Sequence, residues 1–283
     1  MEKIMKWRIV SDSSSDLKIK DIVSEKVDLI TVPFVLHVGD TDYVDYEDLD
    51  IPTLLTAMEE CATASRSACP SPQTWAEEFE KADYSIAITI SANLSGSLNS
   101  AVSAKEIVLA EYPDKKIAVV DSKATGPESA MCIYKMVEWI ENGDDFETVV
   151  KKAEVFLEET KTSFALCSFD NLVKNGRMSK LTGFVARKLG MWGIGIASDE
   201  GTIIIKGKSR GAAKALDVLV EDMQERGFDG DQVDIHHCQN ENMAERLRIK
   251  IQEHWPDAKI TIRPTRGLDS FYAEYKGLII GFH

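Results

Sequence analysis

The sequence predicts an α/β protein of two domains: an N-terminal parallel sheet flanked by helices and a C-terminal mixed sheet flanked by helices. Three observations carry this. At 283 residues the chain is long enough to bury two cores. Apolar strands alternate with amphipathic helices, the pattern of a parallel, layered sheet. In the second half, the turn Asp199-Glu200-Gly201 joins two apolar runs, the mark of antiparallel pairing.

In the first half, strands are expected near Arg8–Val10, Leu29–Phe34, Ser85–Ile90 and Ile117–Val120. Helices are expected near Ile51–Glu60, Gln73–Ala82, Leu98–Ala110 and Glu128–Asn142. Phe146–Thr160 is amphipathic, with Val149, Val150, Ala153, Val155 and Phe156 as its apolar members. The domain boundary is set at its end, giving domains 1–160 and 161–283. The second domain opens with a buried strand, Ser163–Cys167, and short helices at Asp170–Lys174 and Ser179–Lys188. The hairpin Ile194–Ser198 and Thr202–Lys206 follows. Helix Gly211–Arg226, strand Gln232–His237, helix Asn242–His254, strand Lys259–Ile262 and strand Gly277–Phe282 complete it. No internal repeat is present.

Composition narrows the function. The net charge of −14 disfavours nucleic acid and anionic membranes as partners. No apolar run approaches the ~20 residues that span a bilayer. The opening Met1-Glu2-Lys3-Ile4-Met5-Lys6 lacks the apolar core of a signal peptide, so a cytoplasmic location is expected. The cysteines Cys61, Cys69, Cys132, Cys167 and Cys238 are odd in number and scattered, as expected of reduced thiols. His236-His237-Cys238 makes a poor chelate, because neighbours on a strand point to opposite faces. No metal site and no cofactor are expected.

Three predicted strands end in polar loops. Arg8–Val10 runs into Ser11, Asp12, Ser13, Ser14 and Ser15. Ile86–Ile90 runs into Ser91, Ser95, Gly96 and Ser97. Ile117–Val120 runs into Asp121 and Ser122. A strand that ends in hydroxyls and glycine before a helix N-terminus offers free N–H groups and a positive dipole to an anion. Helix capping explains any one of these loops. Three together point to one crevice at the carboxyl edge of the sheet. A fourth feature is Asp170–Lys180, where Gly176 stops a helix and Arg177 follows on the turn, placed to meet an anion with a planar fork of donors.

Common enzyme motifs are absent. The segment Asn93-Leu94-Ser95-Gly96-Ser97 lacks both glycines of a nucleophile elbow. Gly207-Lys208-Ser209 has Thr202 where a phosphate loop needs glycine. No G-x-G-x-x-G follows the first strand.

These residues resemble the DegV family, fatty-acid-binding proteins that include the binding subunits of bacterial fatty acid kinases. Six segments carry the resemblance, in order along the whole chain: Ile9–Ser13, Ser67–Pro72, Ile90–Ser97, Val120–Ser122, Leu172–Ser179, and Lys208–Gly211 leading to Lys214–Leu216. The resemblance implies a long-chain fatty acid between two α/β domains, its tail in an apolar tunnel of the second. It implies a carboxylate held by Ser67 and by Ser95 with Gly96, and Arg177 near the head group. Asp12, Ser13, Asp121 and Ser122 are supporting candidates. It also implies a fatty acid kinase as partner and no chemistry by the binding subunit itself.

The chain departs from the family in places. Ser67-Ala68-Cys69 stands where Thr-Ser-Gln is usual, and Asn175 replaces a glycine. The C-terminal His-x-Gly-Pro-Gly segment is missing; its histidine falls near Ala273, and Gly277 alone is kept. Burying ~15 methylenes at about 0.8 kcal/mol each is worth on the order of 12 kcal/mol gross. A hydrogen bond to a charged group adds about 1.5–3 kcal/mol. The tail therefore sets affinity, and the head-group contacts set orientation. Met178, Phe184, Met191 and Trp192 are the expected apolar wall near Arg177. Two alternatives stand: a module for another anionic metabolite, with a short polar pocket, and an enzyme using Asp12, Asp121 or His237 as acid or base.

Overall fold

A computed structural model describes residues 6–61, 63, 65–178 and 190–283. The expected helix Ser179–Lys188, with Ser179 and Phe184, lies outside the described residues, as do Met1–Met5. Within them, two α/β domains form as expected, together with a small extra sheet.

The first domain is built on β1 (Trp7–Asp12), β2 (Val27–Val32), β6 (Tyr84–Thr89) and β7 (Lys116–Asp121), in the order β2-β1-β6-β7 and all parallel. Alternation places Ile9, Ile86 and Ile88 on one face, against α4 (Pro127–Glu141) and α5 (Phe146–Glu159). Val10 and Ala87 face the other way, against Trp75 and Phe79 of α2 (Pro72–Phe79) and Ala101 and Ala104 of α3 (Ser97–Glu111). A sheet covered on both faces needs near-continuous apolar strands, which is how these read.

The second domain has six strands in the order β10-β9-β8-β13-β11-β12: β8 (Lys161–Leu166), β9 (Met191–Ala197), β10 (Ile203–Arg210), β11 (Gln232–His237), β12 (Lys259–Pro264) and β13 (Leu278–Phe282). Only the β11/β12 pair is parallel, so the sheet is mixed. One face packs on α7 (Ala212–Glu225) and α8 (Glu241–His254), through Ile194, Val233, Ile235 and Ile280. The other face looks at the first domain. There Gly281 of β13 leaves room for the first turn of α4: an added Cβ would stand 2.7 Å from Pro127.

The pieces not expected are short. β3 (Val35–Val38), β4 (Thr41–Val44) and β5 (Arg66–Ala68) form an antiparallel sheet in the order β4-β3-β5, next to α1 (Ile51–Glu60) in the chain. α6 (Asp170–Lys174) was expected; α9 (Gly267–Ala273) was not. No described helix is long and apolar enough to cross a membrane.

Glu128, on the first turn of α4, is buried between the domains and accepts hydrogen bonds from Thr160 (2.9 Å) and Thr162. Burial outweighs those bonds and raises its pKa from 4.5 to about 7. A carboxyl raised in the folded state contributes its full stability below pH 4.5 and loses it as pH rises to about 7. Glu128→Gln should therefore gain on the wild type across that window, by up to about 3 kcal/mol. Urea midpoints of both proteins at pH 5 and pH 8 check this, and a constant difference would refute it.

Candidate functional site

The carboxyl ends of β6 and β7 meet the inner face of the second sheet around one cavity of ≈ 800 Å³, its open mouth included. Phe164 and Leu166 of β8, Ile203 of β10 and Ile279 of β13 form the apolar floor. The first domain adds Phe34, Ile90 and Leu94. Gly195 of β9 makes room for the Phe164 ring, which an added Cβ would approach to 2.3 Å.

The hairpin between β9 and β10 closes one side. Ser91 donates to the Gly201 carbonyl at 2.7 Å, and the Asn93 amide donates to the Glu200 carbonyl at 2.6 Å. Gly201 has φ +74°, and its missing Cβ would sit 2.2 Å from the Ser91 hydroxyl and 2.6 Å from the Lys123 carbonyl. A side chain there is barred by conformation and by space.

Ser67, Ser95 and Arg177 all line this cavity. Ser67 lies on the short strand β5, opposite Leu36. Its hydroxyl meets the Tyr272 hydroxyl of α9 at 2.7 Å. The Ser95 oxygen accepts from the Ser97 N–H at 3.3 Å, at the start of α3, which leaves the Ser95 proton for another acceptor. Gly96 caps α3 beside it and is exposed at the edge of the cavity, outside its lining. Arg177 follows a helix end of Schellman type: Gly176 N–H bonds to Val173 C=O at 3.1 Å and Arg177 N–H to Leu172 C=O at 2.9 Å, with Gly176 at φ +74°. The carbonyls of Leu94 (3.0 Å, to Nε) and Asn175 (2.5 Å, to Nη1) then fix its guanidinium.

The four supporting candidates brace the loops and do not line the cavity. Asp12 is fully buried and accepts from Ser14 N–H, Ile90 N–H, and the hydroxyls of Ser14 and Ser97. Burial raises its pKa, against those bonds. The Ser13 hydroxyl accepts from Phe34 N–H at 3.1 Å. Asp121 accepts from the N–H groups of Ala92 and Lys123, and Ser122 bonds to Ala124. Of the three polar loops, those after β6 and β7 thus reach the cavity, and the one after β1 stands behind them.

The expected wall is corrected. Trp192 packs toward α7 and α8, because β9 alternates and sends Gly193 and Gly195 to the cavity side. Met178 belongs to the adjoining apolar cluster, and neither it nor Met191 lines the cavity. His237 lies outside the cavity too, its Nδ1 accepting from Asn240 N–H at 3.2 Å while burial lowers its pKa. With Asp12 and Asp121 also engaged elsewhere, the enzyme alternative loses the residues it was built on.

Sequence reasoning missed the junction behind the cavity. Asp16 accepts from Arg266 N–H at 2.5 Å and meets His236 Nδ1 at 2.7 Å. Asp269, on the cavity wall, accepts from the Thr125 hydroxyl at 2.7 Å. Burial first, then the Asp16 charge, raises the Asp269 pKa well above its ordinary 3.8. For His236, burial opposes charge, but Asp234 and Asp16 outweigh it and raise its pKa. Asp16, His236 and Asp269 have metal-like spacing. Two of them pair directly, Asp16 with His236 at 2.7 Å, and Asp269 takes the Thr125 hydroxyl. Gly126, at φ +55°, lies over it, its absent Cβ 2.6 Å from Asp269 Oδ2. The one sequence signal was Asp16 closing the serine-rich loop.

Comparison with known proteins agrees with this architecture. A family model described as "Uncharacterised protein, DegV family" matches residues 6–274. A DegV domain-containing protein of Streptococcus pyogenes serotype M1 is 39% identical over 278 residues, covering 98% of this chain and 99% of that one. Among solved structures, the Streptococcus pneumoniae fatty acid kinase B3 protein, loaded with linoleic acid, superposes with TM-score 0.95 at 38% identity, over 99% of both chains. A DegV family protein of Eubacterium eligens, loaded with heptadecanoic acid, gives TM-score 0.93 at 32% identity, over 98% of this chain and 99% of that one.

Proposed function

The chain belongs to the DegV family, and we propose that it binds a long-chain fatty acid, with the tail on the apolar floor and the carboxylate at Ser67, Ser95 and Arg177. The observation that carries this is the convergence of those three side chains on one cavity whose floor is apolar. A short polar pocket, as a small anionic metabolite needs, does not fit such a floor. The fatty acids in the related structures support the same class of ligand. The head-group residues lie at the cavity edge, with Ser95 half-buried and Gly96 exposed. A carboxylate there is accessible to a second protein, which supports presentation to a fatty acid kinase by a subunit that does no chemistry itself.

Mass spectrometry of the organic extract of the purified protein tests the ligand. A stoichiometric fatty acid is expected. An empty or polar extract, repeated after incubation with fatty acids, would sink the reading. Ser95→Ala should weaken binding about tenfold, and no more than about a hundredfold, since it removes one charge-assisted hydrogen bond of about 1.5–3 kcal/mol and leaves the tail buried. Acyl-phosphate formation with a partner kinase and ATP tests presentation; no product despite bound lipid would place the protein outside that pathway.

A further inference from the structure

We infer that Tyr272 is a positioning residue for an anionic head group: it fixes the Ser67 hydroxyl so that the pair offers one O–H proton to the cavity. This rests on the fatty-acid reading. Ser67 comes from β5 of the first domain and Tyr272 from α9 of the second, and both line the cavity. Their oxygens are 2.7 Å apart. Each hydroxyl carries one proton. Their mutual bond uses one, whichever donates, and leaves the other. Among the described residues neither hydroxyl has a second hydrogen-bond partner, so the remaining proton is unclaimed.

The surroundings keep that proton in place. The Tyr272 ring stands edge-on to Phe271, 4.9 Å between centroids, which fixes the direction of its hydroxyl. Burial raises the phenol pKa, against the Ser67 bond and the Arg177 charge, so the group remains a donor at neutral pH. The position is next to Ala273, where the family's histidine was expected to fall. A phenol at this place cannot become a cation, so its part is to donate, and the positive charge comes from Arg177.

A donor aimed at the head group favours a carboxylate over a neutral head, because hydrogen bonds to ionised acceptors are about twice as strong. The test compares oleate with oleyl alcohol, which share a tail. Tyr272→Phe keeps the ring, and its thermal midpoint shows whether the fold is intact. It should weaken oleate at least about tenfold and oleyl alcohol less than about threefold. Ser67→Ala should do the same. The double variant should lose more oleate affinity than either single, since each single still leaves one hydroxyl proton, no longer held in place, and the double leaves none. Equal weakening of both probes would reduce Tyr272 to a piece of wall and overturn the inference. So would unchanged affinity for both. A wild-type protein that binds neither probe would overturn the fatty-acid reading and this inference with it.

Discussion

Ile203→Glu should abolish fatty-acid binding, by at least about a hundredfold, while the protein still folds. Ile203 lines the cavity floor from β10, next to the hairpin turn, and is only partly buried without ligand. A carboxylate there can reach water in the empty protein, so folding loses little. A bound tail would cover it and leave an unpaired charge against methylenes, an effective cost of several kcal/mol, at tenfold in affinity for each ~1.4 kcal/mol. Titration with oleate, beside Ser95→Ala, reads the contrast. Near-equal losses in the two variants would refute the view that the tail carries affinity and the head group carries orientation.

The parts of this site that were legible in the sequence were those built on long, regular elements. β1, β6 and β7 are apolar runs that stop at polar loops, so their shared edge could be read, and so could Arg177 from the Gly176 stop. What failed had physical causes. β3, β4 and β5 have three or four residues each, too few for a period to show, although Gly39-Asp40 between Val38 and Thr41 is a hairpin turn signal. The strand that carries Ser67 was therefore not read. α9 has only seven residues, too few for a helical period to show, so Asp269 and Tyr272 went unseen. Trp192 was misassigned by size. In Trp192-Gly193-Ile194-Gly195 the large residues share one face, and that face proved to be the helix side. Alternation shows which residues lie together, but not which side faces a cavity; that needs the partner domain.

The junction behind the cavity gives the other large effect. Asp16→Ala should cost about 3–5 kcal/mol of stability, the usual loss when one member of a buried charged group is removed. It would strand three groups at once: the Arg266 N–H, the His236 ring and the Asp269 acid. Asp269→Asn should cost far less, about 1 kcal/mol. An amide is neutral, as the acid is, and can donate to Asp16 while still accepting from Thr125. Urea unfolding of the three proteins separates the cases, and equal losses would mean that Asp269 is ionised. The pH dependence has a fixed sign. A carboxyl raised in the fold gives its full stability below its ordinary value of 3.8 and loses it as pH rises through the raised one. The wild type should thus fall relative to Asp269→Asn as pH increases. Thr125 and Asp269 line the cavity from opposite domains, so the cavity exists in the folded state only. Oleate at a hundred times its Kd should then return about 2.7 kcal/mol to the Asp16→Ala protein, and no recovery would mean that oleate does not bind the folded protein preferentially.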